Sequence, residues 1–334
     1  MKPRYDLFLK KEWIENLDLL NILQKKTTHA SLLTALQKFI PDTNIVLTCN
    51  GTSALYLGMI SLGLKENDEI IIPSFSYPAV DRLAKYMKLK IRYCDIKKDT
   101  FCMDPEYLKT IISNNTKAVC FINHLGYVGE DLLYIQDICK SYDALLFEDS
   151  AQGIGQYYNG QMAGSFGKFG VISFSGAKTI SSGEGGLIYS KDPNLISRVI
   201  QLQNIELEHG IGNYTMSALI AHILKKQIDD WDWFIDNKCR LFNEYKKYLD
   251  ICMPFTADPF ISYNSLVLSS KNAKNIQTKV KNMLNTNTRY KFYPIQQELP
   301  NASYVYETYI EIPQSFSLDS ADIKKISFII NSAK

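Results

Sequence analysis

An acid and an amine stand at the ends of two apolar runs between Phe147 and Gly186. Asp149 closes the run ALLFE, and Lys178 follows the run FGVISF, with Gly183, Gly185 and Gly186 just beyond it. A primary amine condenses with an aldehyde to a Schiff base. A carboxylate beside a pyridine nitrogen keeps that nitrogen protonated and makes the ring an electron sink. A lysine and an aspartate delivered from separate strand ends therefore suit an aldehyde cofactor built on a pyridine ring, pyridoxal phosphate (PLP). Each residue alone has a plainer reading. A lysine in a Gly/Ser-rich loop is usually a solvated surface residue, and an aspartate after a strand is often a helix N-cap.

The elements that must position these groups follow from the alternation of apolar patterns. NIVLTC (44–49), EIIIPS, KIRYCDI, KAVCFIN and ALLFED read as strands. Between them TSALYLGMISLGL, PAVDRLAKYMK, DPEYLKTIIS and a segment near LLYIQDICKSY have helical periodicity. Short β-rich runs separated by helices predict a mostly parallel, doubly wound sheet. Ligands of such sheets bind at the carboxyl ends of the strands, where Asp149 lies. FGVISF and GLIYS lie too close together for an ordinary crossover helix, so at least one is expected to run antiparallel. A helical stretch from Met216 to about Leu249, broken near Asp229-Asp230-Trp231, precedes further strands in ISYNSLVLSS and RYKFYPI. Residues 1–43 read as an arm with one or two helices.

Composition narrows the class. The 334 residues have a formal net charge of +2, 46% hydrophobic and 22% charged residues, as in ordinary globular proteins. No basic tract suggests a nucleic-acid partner, and no apolar stretch reaches membrane-spanning length. Seven cysteines, with no CxxC pair and no metal-ligand spacing, read as buried free thiols in a reducing compartment. The first residues lack a hydrophobic signal core, so a cytoplasmic protein is expected. The four histidines (His29, His124, His209, His222) show no metal spacing. For His124, after the strand KAVCFIN, a place in the site and a structural role both stay open.

The segment 147–186 closely resembles the PLP-dependent sugar aminotransferases of the DegT/StrS family. The matching residues are Asp149-Ser150-Ala151-Gln152, then Ser173-Phe174 with Lys178, then Gly183-Glu184-Gly185-Gly186. The resemblance extends upstream through CNGTSALYLGMISLGL and PSFSYPAV and downstream to GNYTMSAL. It implies PLP fold type I: a large domain with a seven-stranded, mostly parallel sheet between helices, and a small C-terminal α+β domain. The expected division is residues 1–240, an arm plus the large PLP-binding domain, and residues 241–334.

The resemblance also implies roles. Lys178 holds the cofactor and then shuttles a proton, and Asp149 pairs with the ring nitrogen. Gly51, Thr52 and Ser53 open a helix whose N-terminus would receive the phosphate, an arrangement that suits helix polarity. Ser173 adds a donor there, Tyr77 stacks on the ring, and Gln152 lies near its phenolic oxygen. Asn213 reaches the phosphate of the other subunit of a homodimer, giving a shared site. The implied reaction moves an amino group from L-glutamate to a keto-sugar, nucleotide-activated, for amino-sugar and polysaccharide biosynthesis. Amination of a small phosphorylated ketone and non-catalytic PLP binding are the rival readings; dehydratase relatives replace the lysine with histidine, which Lys178 opposes. Two departures fall on the substrate side. Thr215 stands where the family has an arginine, and Tyr293-Pro294 is followed by Ile295-Gln296-Gln297 rather than by a histidine.

Overall fold

The computed structural model describes residues 27–176, 178–250, 266–284, 293–295, 299–314 and 316–333, with Asp18 and Ile22. The expected arm lies largely outside them. Helix α1 (Thr27–Leu36) leads into the alternating region. There β1 (Asn44–Thr48) is followed by α2 (Gly51–Ser61), β2 (Glu69–Pro73), β3 (Phe75–Ser76), α3 (Ala79–Tyr86), β4 (Lys90–Cys94) and α4 (Pro105–Ile111). Next come β5 (Thr116–Ile122), α5 (Glu130–Ser141), β6 (Leu145–Asp149) and the small hairpin β7 (Tyr157–Tyr158) with β8 (Gln161–Met162). β9 (Gly170–Ser173), β10 (Gly186–Ser190) and α6 (Pro193–Leu202) complete the region. Helix starts are written locally. Asp104 caps α4 and Asp192 caps α6, each accepting a first-turn N–H, and each is followed by proline at the first helical position.

Seven strands form one sheet in the order β1-β10-β9-β6-β5-β2-β4. β10 runs antiparallel to both its neighbours, and every other pairing is parallel except through it. The expected reversal therefore falls on GLIYS. Alternate residues of the strands enter cores on opposite faces. Ile70, Ile72, Phe147, Val171 and Ile188 pack on one side with α2, α3 and α6. On the other side Ile71, Val119, Phe121 and Leu146 pack with α4 and α5, and Leu47, Ile172 and Leu187 pack with α1. Burial on both faces explains why these strands read as continuous apolar runs.

The expected helical stretch is two helices, α7 (Ala218–Asp229) and α8 (Trp231–Lys246), meeting at Asp230. Then follow β11 (Val267–Ser269), α9 (Ala273–Leu284), β12 (Tyr293–Pro294), α10 (Pro300–Thr308), β13 (Tyr309–Glu311) and α11 (Ser320–Asn331). β11 and β13 pair antiparallel, and Leu241, Tyr245, Ile276, Ile310, Ile326 and Ile330 belong to an apolar cluster of their own. The remainders of the two expected C-terminal strands lie outside the described residues.

Among the described residues the C-terminal elements meet the sheet region at several points, and three of them fix their position. β12 pairs antiparallel with β3, and Ile295 donates to the Ser74 carbonyl at 2.7 Å. Phe101 meets Tyr309 edge-on at 4.8 Å within a cluster that also holds Phe75 and Val305. The third contact is polar. α10 starts at Leu299, which offers no side-chain cap. Asp95, just past β4, supplies it: its carboxylate accepts from Asn301 N–H at 3.1 Å and Ala302 N–H at 3.2 Å. Asn301 Nδ2 donates back to the Ile96 carbonyl at 2.8 Å. A negative charge on a helix N-terminus satisfies otherwise orphaned donors and complements the helix dipole. Asp95→Ala is therefore expected to lower stability by roughly 1–3 kcal/mol. Urea unfolding should show a lower midpoint, and amide exchange should rise in α10 and β13 while the strands of the sheet stay protected. Unchanged exchange in α10 would show that Asp95 does not hold it.

Candidate active site

The carboxyl edge of the parallel strands opens into a cavity of about 370 Å³. β6 delivers Asp149, β5 delivers Ile122 and Asn123, and β9 delivers Ser173. The segment after β1 delivers Asn50 and the first residues of α2, Gly51 and Thr52. The loop after β9 brings Ser175, Gly176 and Lys178, and Tyr77 follows β3. Because β10 reverses, the Lys178 loop both leaves and rejoins the sheet at this one edge.

Two adjacent acids on β6 face opposite ways. Glu148, fully buried, accepts from the backbone N–H groups of Gly164, Phe166 and Gly167 at 2.7–2.9 Å. It fixes the loop before β9, although burial pushes its pKa up to about 7 against those three donors. Asp149 faces the cavity and is 6% exposed. Burial raises its pKa, while the Ala151 N–H at 3.1 Å and the charge of Lys178 pull it down. Lys178 itself is half-buried in the cavity wall.

The start of α2 lies hard against β9 and β10. A Cβ on Gly51 would come within 2.8 Å of Ser173 Cβ, and one on Gly186 within 2.4 Å of the Asn50 carbonyl carbon. Only glycine permits that approach. Asn50 is the N-cap, its Oδ1 accepting from Ser53 N–H at 2.8 Å. Ser53 consequently does not line the cavity. It is buried, its N–H is committed to the cap, and its hydroxyl lies 3.1 Å from Cys49 Sγ. Ser173 Oγ lies 3.0 Å from Ser175 Oγ, which places two hydroxyls side by side in the wall.

Gln152 lines the cavity and its Oε1 accepts from Leu125 N–H at 2.8 Å. Leu125 has φ +55°, so this bond holds an unfavourable turn in place. Asn123 ties the tips of β5 and β6, donating its N–H to the Asp149 carbonyl at 3.1 Å and accepting from the Ser150 hydroxyl. His124 does not line the cavity. It is buried against Phe75 and Phe101, and burial, with the charge of Lys178, holds its pKa down to about 3.

Of the expected site residues, Gly51, Thr52, Tyr77, Asp149, Gln152, Ser173 and Lys178 meet in this cavity. Asn213 does not: it is exposed, its Oδ1 accepting from the Thr215 hydroxyl at 2.7 Å. Asn50, Asn123, Ser175, Glu184 and Glu311 line the cavity without having been expected there. Asn50 carried a legible signal, an asparagine directly before a helix. Glu311 carried none, since a three-residue strand near the end of the chain says nothing of what it packs against. Among the described residues no group of acids, histidines and cysteines could hold a metal ion, and no helix is long and apolar enough to cross a membrane.

The donor set fits a phosphorylated pyridine aldehyde: an amine, a buried carboxylate, and a helix start with hydroxyls beside it. The comparisons agree. The chain is 30% identical to a GDP-perosamine synthase of Escherichia coli O157:H7, over 77% of this chain and 74% of that protein. It is 26% identical to a UDP-2-acetamido-2-deoxy-3-oxo-D-glucuronate aminotransferase of Pseudomonas aeruginosa, over 87% and 86%. The fold matches NtdA from Bacillus subtilis, solved with bound cofactor PMP, at a TM-score of 0.79 and 20% identity, covering 97% of this chain and 83% of that one. A family model matches residues 21–331, so the chain belongs to the DegT/DnrJ/EryC1/StrS aminotransferase family and is an aminotransferase of PLP fold type I with pyridoxal phosphate as its cofactor.

Proposed function

We propose that this aminotransferase moves an amino group from L-glutamate to a nucleotide-linked keto-sugar, in the cytoplasm, for amino-sugar and surface-polysaccharide biosynthesis. The observation that carries the reading is the meeting of Lys178, Asp149 and the start of α2 in one cavity. The names of the relatives, a GDP-sugar synthase and a UDP-keto-sugar aminotransferase, support the substrate class. The same reading assigns residues 1–240 to the arm and large domain and 241–334 to the small one. The separate apolar cluster beginning at Leu241 supports that division.

When bound, the cofactor supplies an electron sink for the bond to the amino-bearing carbon. The chain supplies the rest. Lys178 would be the amine that holds the cofactor and would carry a proton to and from the substrate Cα. Asp149 keeps a proton on the ring nitrogen; its low exposure strengthens that charge pairing. Thr52, Ser173 and the N-terminus of α2 would hold the phosphate. Tyr77 would hold the ring, and Gln152, which accepts from Leu125 N–H, would serve its phenolic oxygen.

The site is completed in a homodimer, with Asn213 reaching the neighbour's phosphate. Support comes from the surface beside Asn213. Ile200, Ile205, Leu207, Ile211 and Tyr86 are exposed apolar side chains, and Tyr86 and Tyr214 both pack against Tyr56. Exposed apolar side chains gathered in one stretch of chain are common at association sites.

Adding L-glutamate to the PLP-loaded protein should remove its near-visible Schiff-base absorbance, and a nucleotide-linked keto-sugar should restore it. Lys178→Ala should do neither, and borohydride reduction of the native protein should label Lys178. A label on another lysine would overturn the assignment. Asp149→Asn should retain the cofactor yet slow the glutamate step by orders of magnitude, read by stopped-flow absorbance, because an amide does not keep the ring nitrogen protonated. Lys178→Ala and Asn213→Ala subunits, each impaired alone, should recover part of the activity when mixed and exchanged. One site of the mixed dimer carries both defects and the other carries neither. No recovery in proven heterodimers would confine Asn213 to its own chain.

A further inference from the structure

The loop that carries Lys178 is gripped by a buried side chain outside the cavity. Gln227 lies on α7 and is fully buried. Its Oε1 accepts from Ser181 N–H at 2.8 Å, and its Nε2 donates to the Ser181 carbonyl at 2.6 Å. Both polar groups of one peptide residue are thus satisfied by one amide. An amide end presents a donor and an acceptor side by side without a change of protonation state, and Gln reaches further from a helix axis than Asn. The neighbouring Ile180 is fully buried in the cluster that holds Ala221, Leu224 and Ile228 of α7. Downstream, Ser182 N–H donates to the Phe174 carbonyl at 3.1 Å, and Gly183 N–H to Ser181 Oγ at 3.3 Å. Upstream, Ser175 is tied to Ser173 and bridged to Gly183.

Lys178 is therefore suspended between two anchored points: the tip of β9 and the Ile180-Ser181 pair pinned to α7. The lysine side chain has many rotamers, so the place of its Nζ depends on how firmly its backbone is held. Misplacement of a reacting group by about 1 Å costs roughly a hundredfold in rate. We infer that Gln227 is a positioning residue for the aminotransferase reaction, setting the reach of Lys178 by clamping Ser181. It does not line the cavity, so it acts through the loop and not on the substrate. The inference rests on the proposed function only in taking Lys178 as the reactive amine.

The test uses PLP-loaded Gln227→Leu, which fills the space but removes both bonds, and Gln227→Glu, whose carboxylate accepts from Ser181 N–H but opposes its carbonyl. Each is read three ways: the pH midpoint of the Schiff-base absorbance, the single-turnover rate with saturating L-glutamate, and the apparent glutamate affinity. Gln227→Leu is expected to shift the absorbance midpoint and slow the single turnover at least about tenfold, with glutamate affinity changed less than about twofold. Gln227→Glu is expected to approach the single-turnover rate of the native protein measured at the same pH as the pH falls and the carboxyl becomes a donor. A folded Gln227→Leu protein with a native midpoint and rate would overturn the inference. If that variant does not fold, Gln227→Glu decides: loss without recovery at low pH overturns it. A borohydride label on a lysine other than Lys178 would instead overturn the functional reading, and the two failures are separable.

Discussion

The direction of one strand determines where the chemistry lies. Among the described residues between Ser173 and Gly186 there is no helix, and a parallel return would need a crossover of a dozen or more residues packed on the sheet. β10 must therefore come back antiparallel, and the link stays at the carboxyl edge of β9. Lys178 sits in that link, opposite the end of β6, so reversing one strand sets the amine beside the carboxylate. The close approach of Asn50 to Gly186 then seats the start of α2 on the same edge. The meeting of amine, acid and helix start follows from the backbone course.

Burying charge at that edge has a cost that the fold meets differently for each acid. Glu148 receives three backbone donors and becomes a structural tie for the loop from Gly164 to Gly167. Asp149 receives one, from Ala151, and feels Lys178. An acid with incomplete compensation from the protein has capacity left for a cationic ring nitrogen. Adjacent positions on one strand thus divide into scaffold and chemistry by the face they occupy.

The same distinction explains how much was legible in the sequence. Lys178, Asp149 and the alternation of strands were readable because each lies in or beside a local run with its own period. The reversal of β10 was readable from the short spacing between two apolar runs. The contacts that arise between distant segments were not. Asp95 capping α10, Gln227 clamping Ser181 and Glu311 entering the cavity join residues far apart in the chain, with no local pattern in common. Ser53 lies outside the cavity lining for a different reason. A small hydroxyl residue in a first turn suits a phosphate, but Asn50 as N-cap takes its N–H and turns it inward.

Thr215 shows how a departure from the family pattern changes the surroundings of a neighbouring side chain. Where the family carries an arginine, this chain has a short hydroxyl residue, and its Oγ1 donates to Asn213 Oδ1 at 2.7 Å. The Thr215 N–H also points to that oxygen, at 3.4 Å. An asparagine whose carbonyl oxygen is engaged in this way offers its NH₂ as the group for an outside partner. A phosphate accepts only, and an unengaged amide oxygen beside it would be repelled. Losing the arginine removes a positive charge from this surface, while the threonine sets the amide in the sense that an anion requires. Under the proposed shared site, a neighbour's phosphate would meet an oriented neutral donor at Asn213 where the family pattern adds a cation.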